Sequence, residues 1–282
     1  MNRIQSSPAP TTCGNAVFRW GEKTFVMGII NLSPDSFSGD GLGTDLEAAS
    51  ARAKSFVAEG ADIIDVGGES TRPGTEAKSI DDVDAELKLV IPAIERLSRE
   101  VTVPISVDTY KPKVAEAALK AGARMLNDIW ALKKSPRLAE IAAEAGVPVI
   151  LMSNQRDAPA SDIMSAIKAD LERAIVTAIK AGVPEQNIII DPGVGFGKTL
   201  EQNLEIIRRL SELRYLQKPI LLGTSRKSMI GQVLDLPVDQ RLEGTAATVA
   251  IGIAHGADIV RVHDVKEMVR VCRMSDAIIR RK

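Results

Sequence analysis

One local pattern recurs along the chain and limits what it can fold into. An amphipathic helical stretch ends in Gly, a few residues follow, and a short β-branched run begins. "EGADIIDVGG" does this at Gly60, "AGARMLNDI" at Gly122, "EAGVPVILM" at Gly146, "AGVPEQNIIID" at Gly182 and "HGADIVRVHD" at Gly256. A Gly just past a helix end supplies the left-handed residue that closes it at low steric cost. The runs that follow are apolar with little alternation, which suits strands covered on both faces. Eight such runs are present: Phe25–Asn31, Asp62–Gly68, Pro104–Thr109, Met125–Ile129, Val147–Met152, Asn187–Gly193, Pro219–Arg226 and Asp258–Asp264. Helical stretches between them include Asp45–Glu59, Asp81–Arg99, Pro112–Ala121, Ile163–Ala181, Leu200–Leu213 and Gln240–His255, and Val265–Arg280 follows the last run. Eight strand-then-helix units in 282 residues predict an α/β fold, a single-domain (β/α)8 TIM barrel over residues 25–282. Residues 1–24 then form an N-terminal tail and barrel-bottom segment, with Ser6–Thr12 ("SSPAPTT") as a loose tail. A doubly wound sheet would need fewer strands and a clearer split into halves.

Composition narrows the partners. Lys plus Arg number 36 against 37 Asp plus Glu, so the basic excess of a nucleic-acid binder is missing. No apolar run approaches bilayer length, and no signal peptide is visible at the N-terminus, so no membrane partner is expected. Cys13 and Cys272 lie far apart, outside metal or redox spacing, and read as ordinary thiols in a reducing cytoplasm. With only His255 and His263, a His-rich metal site is excluded. Aromatic residues are 3% of the chain, so a functional Phe should stand out.

A barrel of this kind carries its chemistry at the C-terminal ends of its strands. Polar residues gather there: Asn31, Asp65, Glu69, Asp108, Asn127, Asp128, Asp191, Ser225, Arg226, Lys227, Arg261, His263 and Asp264. Two acids (Asp108 and Asp191), the Asn127 amide and the Lys227 ammonium at one mouth suit a flat heterocycle with donors and acceptors on several edges. For either acid alone, a helix cap or a core hydrogen bond is an equally good account. Arg261 and His263 share a face of the last strand, where barrels often bind phosphate. The plainer readings are a rim salt bridge for Arg261 and a satisfied core imidazole for His263. Two mouth loops, "NLSPDSFSGDG" with Phe37 and "GGESTRPGTE", are rich in turn formers, and a third carries Phe196.

"IIIDPGVGFGKT" (residues 188–199) resembles a nucleotide phosphate loop at its end. That motif needs Gly, four residues, then Gly-Lys-Ser/Thr, and Pro192 stands where the first Gly belongs. Proline also removes an N–H donor from the cradle. The barrel gives the stretch a different role, with Asp191 at a strand end and residues 193–198 as the loop after it.

Together, "MGIINLSPDSF", "DIIDVGGESTRPG", "ISVDT", "LNDI", "IIIDPGVGFGKT", "SRKSMIG" and "RVHDV" resemble the dihydropteroate synthase family of pterin-binding enzymes, in its order and over the whole barrel. The resemblance implies a folate-pathway transferase that joins a dihydropterin methyl-pyrophosphate to p-aminobenzoate and releases pyrophosphate. It implies that Asp108, Asn127, Asp191 and Lys227 hydrogen-bond the pterin. Arg261 stacks on the ring and, with His263 and Asn31, holds the pyrophosphate; Asn31 also touches Mg²⁺. Thr71, Arg72 and Pro73 lie in the second mouth loop. Phe37, Pro73, Phe196 and Ser228 line the p-aminobenzoate slot. Met152 and Gly223 complete the substrate-binding set, with Lys227, Arg261 and Asp108 as its catalytic members. Sulfonamide mimicry of p-aminobenzoate and a homodimer through the late helices are further implications. A methyltransferase acting on a corrinoid protein would not need "SRKS" or "GESTRPG". A silent pterin binder finds support only in the altered Ser153–Arg156 segment, where Met152-Ser153-Asn154-Gln155-Arg156 replaces a usual Met-His-x-x-Gly. Trp130 after "LNDI" and Ser33 in place of Thr are further departures from the family.

Overall fold

The structure, a computed structural model, describes residues 8–33, 41–69, 79–157 and 159–280. Eight parallel strands form within the eight apolar runs: β1 (Phe25–Asn31), β2 (Ile63–Gly67), β3 (Ile105–Asp108), β4 (Met125–Asp128), β5 (Val149–Met152), β6 (Ile188–Asp191), β7 (Leu221–Leu222) and β8 (Ile259–Val262). Their order is β6-β5-β4-β3-β2-β1-β8-β7. A bridge between Ile190 and Ile220, with Ile190 N donating to the Pro219 carbonyl (2.9 Å), joins β6 to the start of β7 and closes the barrel. β7 is much shorter than its apolar run, because residues 223–226 leave the sheet and turn into the mouth.

The outer ring is α1 (Leu46–Glu59), α2 (Asp84–Glu100), α3 (Pro112–Ala121), α4 (Arg137–Ala145), α5 (Ile163–Lys180), α6 (Leu200–Arg208), α7 (Ser228–Leu234), α8 (Leu242–Ala254) and α9 (Val265–Ile279). Gly60 and Gly146 close α1 and α4 in left-handed conformations, as the pattern predicts. The stretch Leu200–Leu213 is not one helix. It is α-helical to Arg208 and tightens into 3₁₀ turns over Leu210–Leu216.

Alternation along the strands sorts the residues into two sets. Val26, Ile64, Val107, Leu126, Leu151, Ile190, Leu222 and Val260 pack outward against the helices. Phe25, Met27, Ile63, Met125, Ile150, Ile189, Leu221 and Ile259 form a separate apolar layer inside the barrel. Two residues further along the same strands come Asp65, Asn127, Met152, Asp191, Gly223 and Arg261. The period of two therefore stacks a polar layer directly on an apolar one.

The bottom of the barrel is closed by a hairpin, Thr11–Cys13 paired antiparallel with Ala16–Phe18. Cys13, Phe18 and Trp20 join the inner apolar layer. Trp20 meets Phe25 edge-on at 5.4 Å, and its Nε1 donates to Thr11 Oγ1 (3.1 Å). Thr11 and Thr12 are thus ordered strand, not loose tail. The hairpin strands are only three residues long, too short for their alternation to register. Trp20→Ala should lower stability by about 3–5 kcal/mol in urea unfolding, since it opens a cavity under the barrel.

Candidate active site at the barrel mouth

The polar layer is organised by one guanidinium. Arg261 Nε donates to Asp65 Oδ2 (2.6 Å) and its Nη2 to Asp108 Oδ2 (2.9 Å). Asp65 is fully buried and its Oδ2 also accepts from Asn127 Nδ2 (3.1 Å). Burial pushes the Asp108 carboxyl up to about 7, with Arg261 opposing and Asp65 adding to the rise. Burial raises Asp191 too, against the pull of Lys227 and the Gly193 N–H, which donates to its Oδ1 (2.7 Å). The Lys227 ammonium donates to the Val194 carbonyl, and burial lowers it to about 8 while Asp191 holds it up. Asp108, Asn127, Asp191, Lys227 and Arg261 therefore converge on one mouth, and Met152, paired in register with Asp191, lies beside them. Gly223 leaves room there: a Cβ on it would stand 3.8 Å from both Arg261 Cβ and Lys227 Nζ.

The loop after β6 has a structural reason for each part of its nucleotide-like spelling. Gly193, Gly195 and Gly197 all have positive φ. A Cβ on Gly193 would stand 2.0 Å from the Ser153 carbonyl oxygen, and one on Gly197 would stand 2.3 Å from Arg156 N. Lys198 Nζ donates to three carbonyls, those of Ser153 (2.9 Å), Gly193 (2.8 Å) and Phe196 (3.1 Å). Thr199 and Gln202 form a capping box at the start of α6. The loop is thus stapled shut on its own lysine, and it presents Phe196 half-buried at the mouth. Lys227 Nζ lies 4.7 Å and Arg156 Cζ 4.8 Å from the Phe196 ring centroid.

The unusual segment after β5 is built into the wall. Ser153 Oγ (3.0 Å), Gln155 Nε2 (2.6 Å) and Lys133 Nζ (2.6 Å) all donate to Asp170 Oδ2 on α5. Asn154 Nδ2 donates to the Ile129 carbonyl (3.0 Å), and Gln155 N donates to Phe196 O (3.3 Å). Asp128 organises the neighbouring turn by accepting from Trp130 N (2.9 Å) and Leu132 N (2.6 Å). Ala131 and Leu132 follow in left-handed conformations. Trp130 is buried edge-on to Tyr110, with Lys134 4.3 Å above its ring.

Other mouth residues divide. His263 Nδ1 lies 2.9 Å from Ser225 Oγ, and Arg226 pairs with Asp264 (Nε–Oδ2 3.0 Å). Glu69 accepts from Tyr110 Oη (2.8 Å) and from the buried Lys111 ammonium (2.6 Å). Asn31 ends β1, half-buried, and Ser228 is exposed at the start of α7. Phe37, Thr71, Arg72 and Pro73 lie outside the described residues.

This arrangement sits in a chain with clear relatives. The family described as pterin binding enzyme matches residues 27–263. A Bacillus subtilis dihydropteroate synthase is 51% identical over 258 residues, covering 92% of this chain and 90% of its own. The chain belongs to the dihydropteroate synthase family of pterin-binding enzymes. Solved members superpose throughout. A Clostridium difficile synthase crystallised with pteroic acid gives a TM-score of 0.87 at 51% identity, over 94% of this chain and 100% of that one. A Xanthomonas albilineans synthase with 4-aminobenzoic acid gives 0.88 at 40% identity, over 97% and 98%.

Within that family frame, two residues went unassigned in sequence. Asp65 is the hub of the polar layer, and its signal was its place two residues beyond Ile63. Arg156 lies beside Phe196, and nothing in its local sequence points there.

Lys198 yields a test of the staple. Its ammonium is buried, and burial pushes it from an ordinary 10.5 down to about 7 although Asp191 pulls it back. Between those values the unfolded chain binds the extra proton, so this group makes stability rise with pH. Lys198→Met removes that contribution. In urea melts the stability of the wild type relative to the variant should therefore climb from about pH 7 to about pH 10. A difference that stays flat would contradict the assignment.

Proposed function

We infer that the chain is a dihydropteroate synthase. It condenses 6-hydroxymethyl-7,8-dihydropterin pyrophosphate with p-aminobenzoate to give 7,8-dihydropteroate and pyrophosphate. The observation that carries this reading is the convergence of Asp108, Asn127, Asp191, Arg261 and Lys227 on one polar floor.

Asp108, Asn127 and Asp191 meet the donor and acceptor edges of the pterin, with Lys227 at its rim and Met152 and Gly223 shaping the wall. Arg261 Nη2 donates to an oxygen of Asp108 that the pterin would take. Pterin binding turns the guanidinium off Asp108 and onto the face of the ring while Asp65 keeps its hold. From there Arg261, with His263 and Asn31, faces the pyrophosphate.

The amine nitrogen of p-aminobenzoate donates its lone pair to the methylene carbon. The C–O bond breaks, its electron pair leaves with pyrophosphate, and the nitrogen releases a proton to water. The leaving group is an anion, so the Arg261 charge stabilises it most as the bond breaks. The amine is neutral near pH 7, so its lone pair is available without a strong base. Phe196 and Ser228 flank this amine, and the resemblance adds Phe37, Thr71, Arg72 and Pro73 on the same side.

Mg²⁺ fits as the metal. Among the described residues no three His, Cys, Asp or Glu side chains gather into a metal cage. Magnesium bound through phosphate oxygens, water and one hard protein donor needs no such cage, and the Asn31 amide oxygen is such a donor. When bound, it neutralises pyrophosphate charge.

A cytoplasmic homodimer completes the reading. The thiols of Cys13 and Cys272 are unpaired and buried, in keeping with a reducing compartment. Among the described residues no helix is long and apolar enough to cross a membrane. Val233, Ile251, Met274 and Ile278, on the late helices, are 54%, 48%, 64% and 70% exposed, an apolar surface suited to a second copy. Ile278→Asp should shift the sedimenting species from dimer to monomer.

The decisive assay is pyrophosphate release from the dihydropterin pyrophosphate with Mg²⁺, with and without p-aminobenzoate, and mass detection of dihydropteroate. Release that depends on p-aminobenzoate supports the synthase; folded protein that binds the pterin and releases nothing overturns it. Lys227→Ala should lose turnover by about 10²-fold or more while keeping its unfolding transition. Normal turnover would remove the role given to Lys227.

A further inference from the structure

We propose that Arg156 is a specificity-determining residue: its charge makes the amine subsite prefer a carboxylated aryl amine over a neutral amine of the same shape. The inference rests on the synthase reading, which puts that subsite against Phe196. Three observations carry it. The guanidinium lies 4.8 Å from the Phe196 ring centroid, and Lys227 lies 4.7 Å from the same centroid, so one ring is flanked by two cations. Arg156 is also held in place. Its N–H donates to Asn154 Oδ1 (3.1 Å), its neighbour Gln155 donates to Phe196 O (3.3 Å), and Gly197 packs so tightly on its backbone that a Cβ would stand 2.3 Å from Arg156 N. Finally, the group is partly desolvated, since burial lowers its pKa. A charge in that setting is screened less than one on an open surface.

The geometry of the reaction gives this charge its target. The amine must reach the pterin methylene, which the synthase reading puts at the rim, on the side of Lys227. An amine with its carboxylate para to the nitrogen therefore points the anionic end away from the floor, along Phe196. Lys227 is committed to the Val194 carbonyl and the Asp191 charge. Arg156 supplies a second cation on the same ring, positioned by the Ser153–Gln155 segment that Asp170 anchors. The departure of this segment from the family spelling would then tune amine recognition.

The test compares 4-aminobenzoate with 4-aminobenzamide, its neutral analogue, at saturating dihydropterin pyrophosphate. The readout is the ratio of kcat/KM for the two amines. Arg156→Gln should lower that ratio about tenfold, through KM for the carboxylate, whereas Arg156→Lys, which keeps the charge, should retain most of it. The wild-type ratio should also fall as salt rises from about 0.05 to about 0.5 M, a measurement that needs no variant. An unchanged ratio in Arg156→Gln, an equal loss in Arg156→Lys, or a salt-independent ratio would each overturn the proposal. A wild type that turns over neither amine would remove the synthase reading itself, and this inference with it.

Discussion

The buried Arg261 guanidinium, held between Asp65 and Asp108, is the interaction on which the rest of the mouth depends. Taking three charges out of water is expensive, and their attraction offsets that only with well-formed hydrogen bonds. Removing one partner of such a group leaves an uncompensated charge and costs about 3–5 kcal/mol. The barrel makes the arrangement tenable. The apolar layer beneath, sealed by Phe18 and Trp20, excludes water, and the eight strands fix the three side chains at set registers. In the proposed synthase reading, Asp108 exchanges Arg261 for a ligand donor while Asp65 keeps the guanidinium paired.

The second constraint is the joining of the segments after β5 and β6. Lys198 gathers carbonyls from both, Gly193 and Gly197 allow the backbones to touch, and Asp170 anchors the far side through Ser153, Gln155 and Lys133. The Ser153–Arg156 departure is therefore a rebuilt wall. Its side chains find partners in α5 and the β4 turn, and the polar floor next to it is intact. The one favourable argument for a silent pterin binder loses its force.

The barrel was legible because its signals are local. A positive-φ Gly after five of the helices (Gly60, Gly122, Gly146, Gly182 and Gly256) and an apolar run after each of them require no knowledge of distant contacts. The strand ends were legible for the same reason, since a polar residue closing an apolar run must lie at the rim. What escaped depended on long-range contacts or on short elements. The three-residue hairpin strands at Thr11 and Ala16 are stabilised by the barrel bottom, not by their own pattern. Asp65 was visible as a strand-end acid, but its role as hub follows from Arg261 nearly two hundred positions away. Asp128 has the same sequence credentials as Asn127 and faces the other way, into a turn. Phe196 was visible as a rare aromatic, whereas the approach of Arg156 to it depends on two loops that meet only in the folded chain.

The most direct test of the account is a crystal structure of the chain with dihydropterin pyrophosphate and Mg²⁺. The account predicts the pterin on the inner apolar layer, hydrogen-bonded to Asp108, Asn127 and Asp191, with Arg261 released from Asp108 and still paired with Asp65. A pterin bound elsewhere, over an undisturbed Asp65–Arg261–Asp108 group, would contradict it.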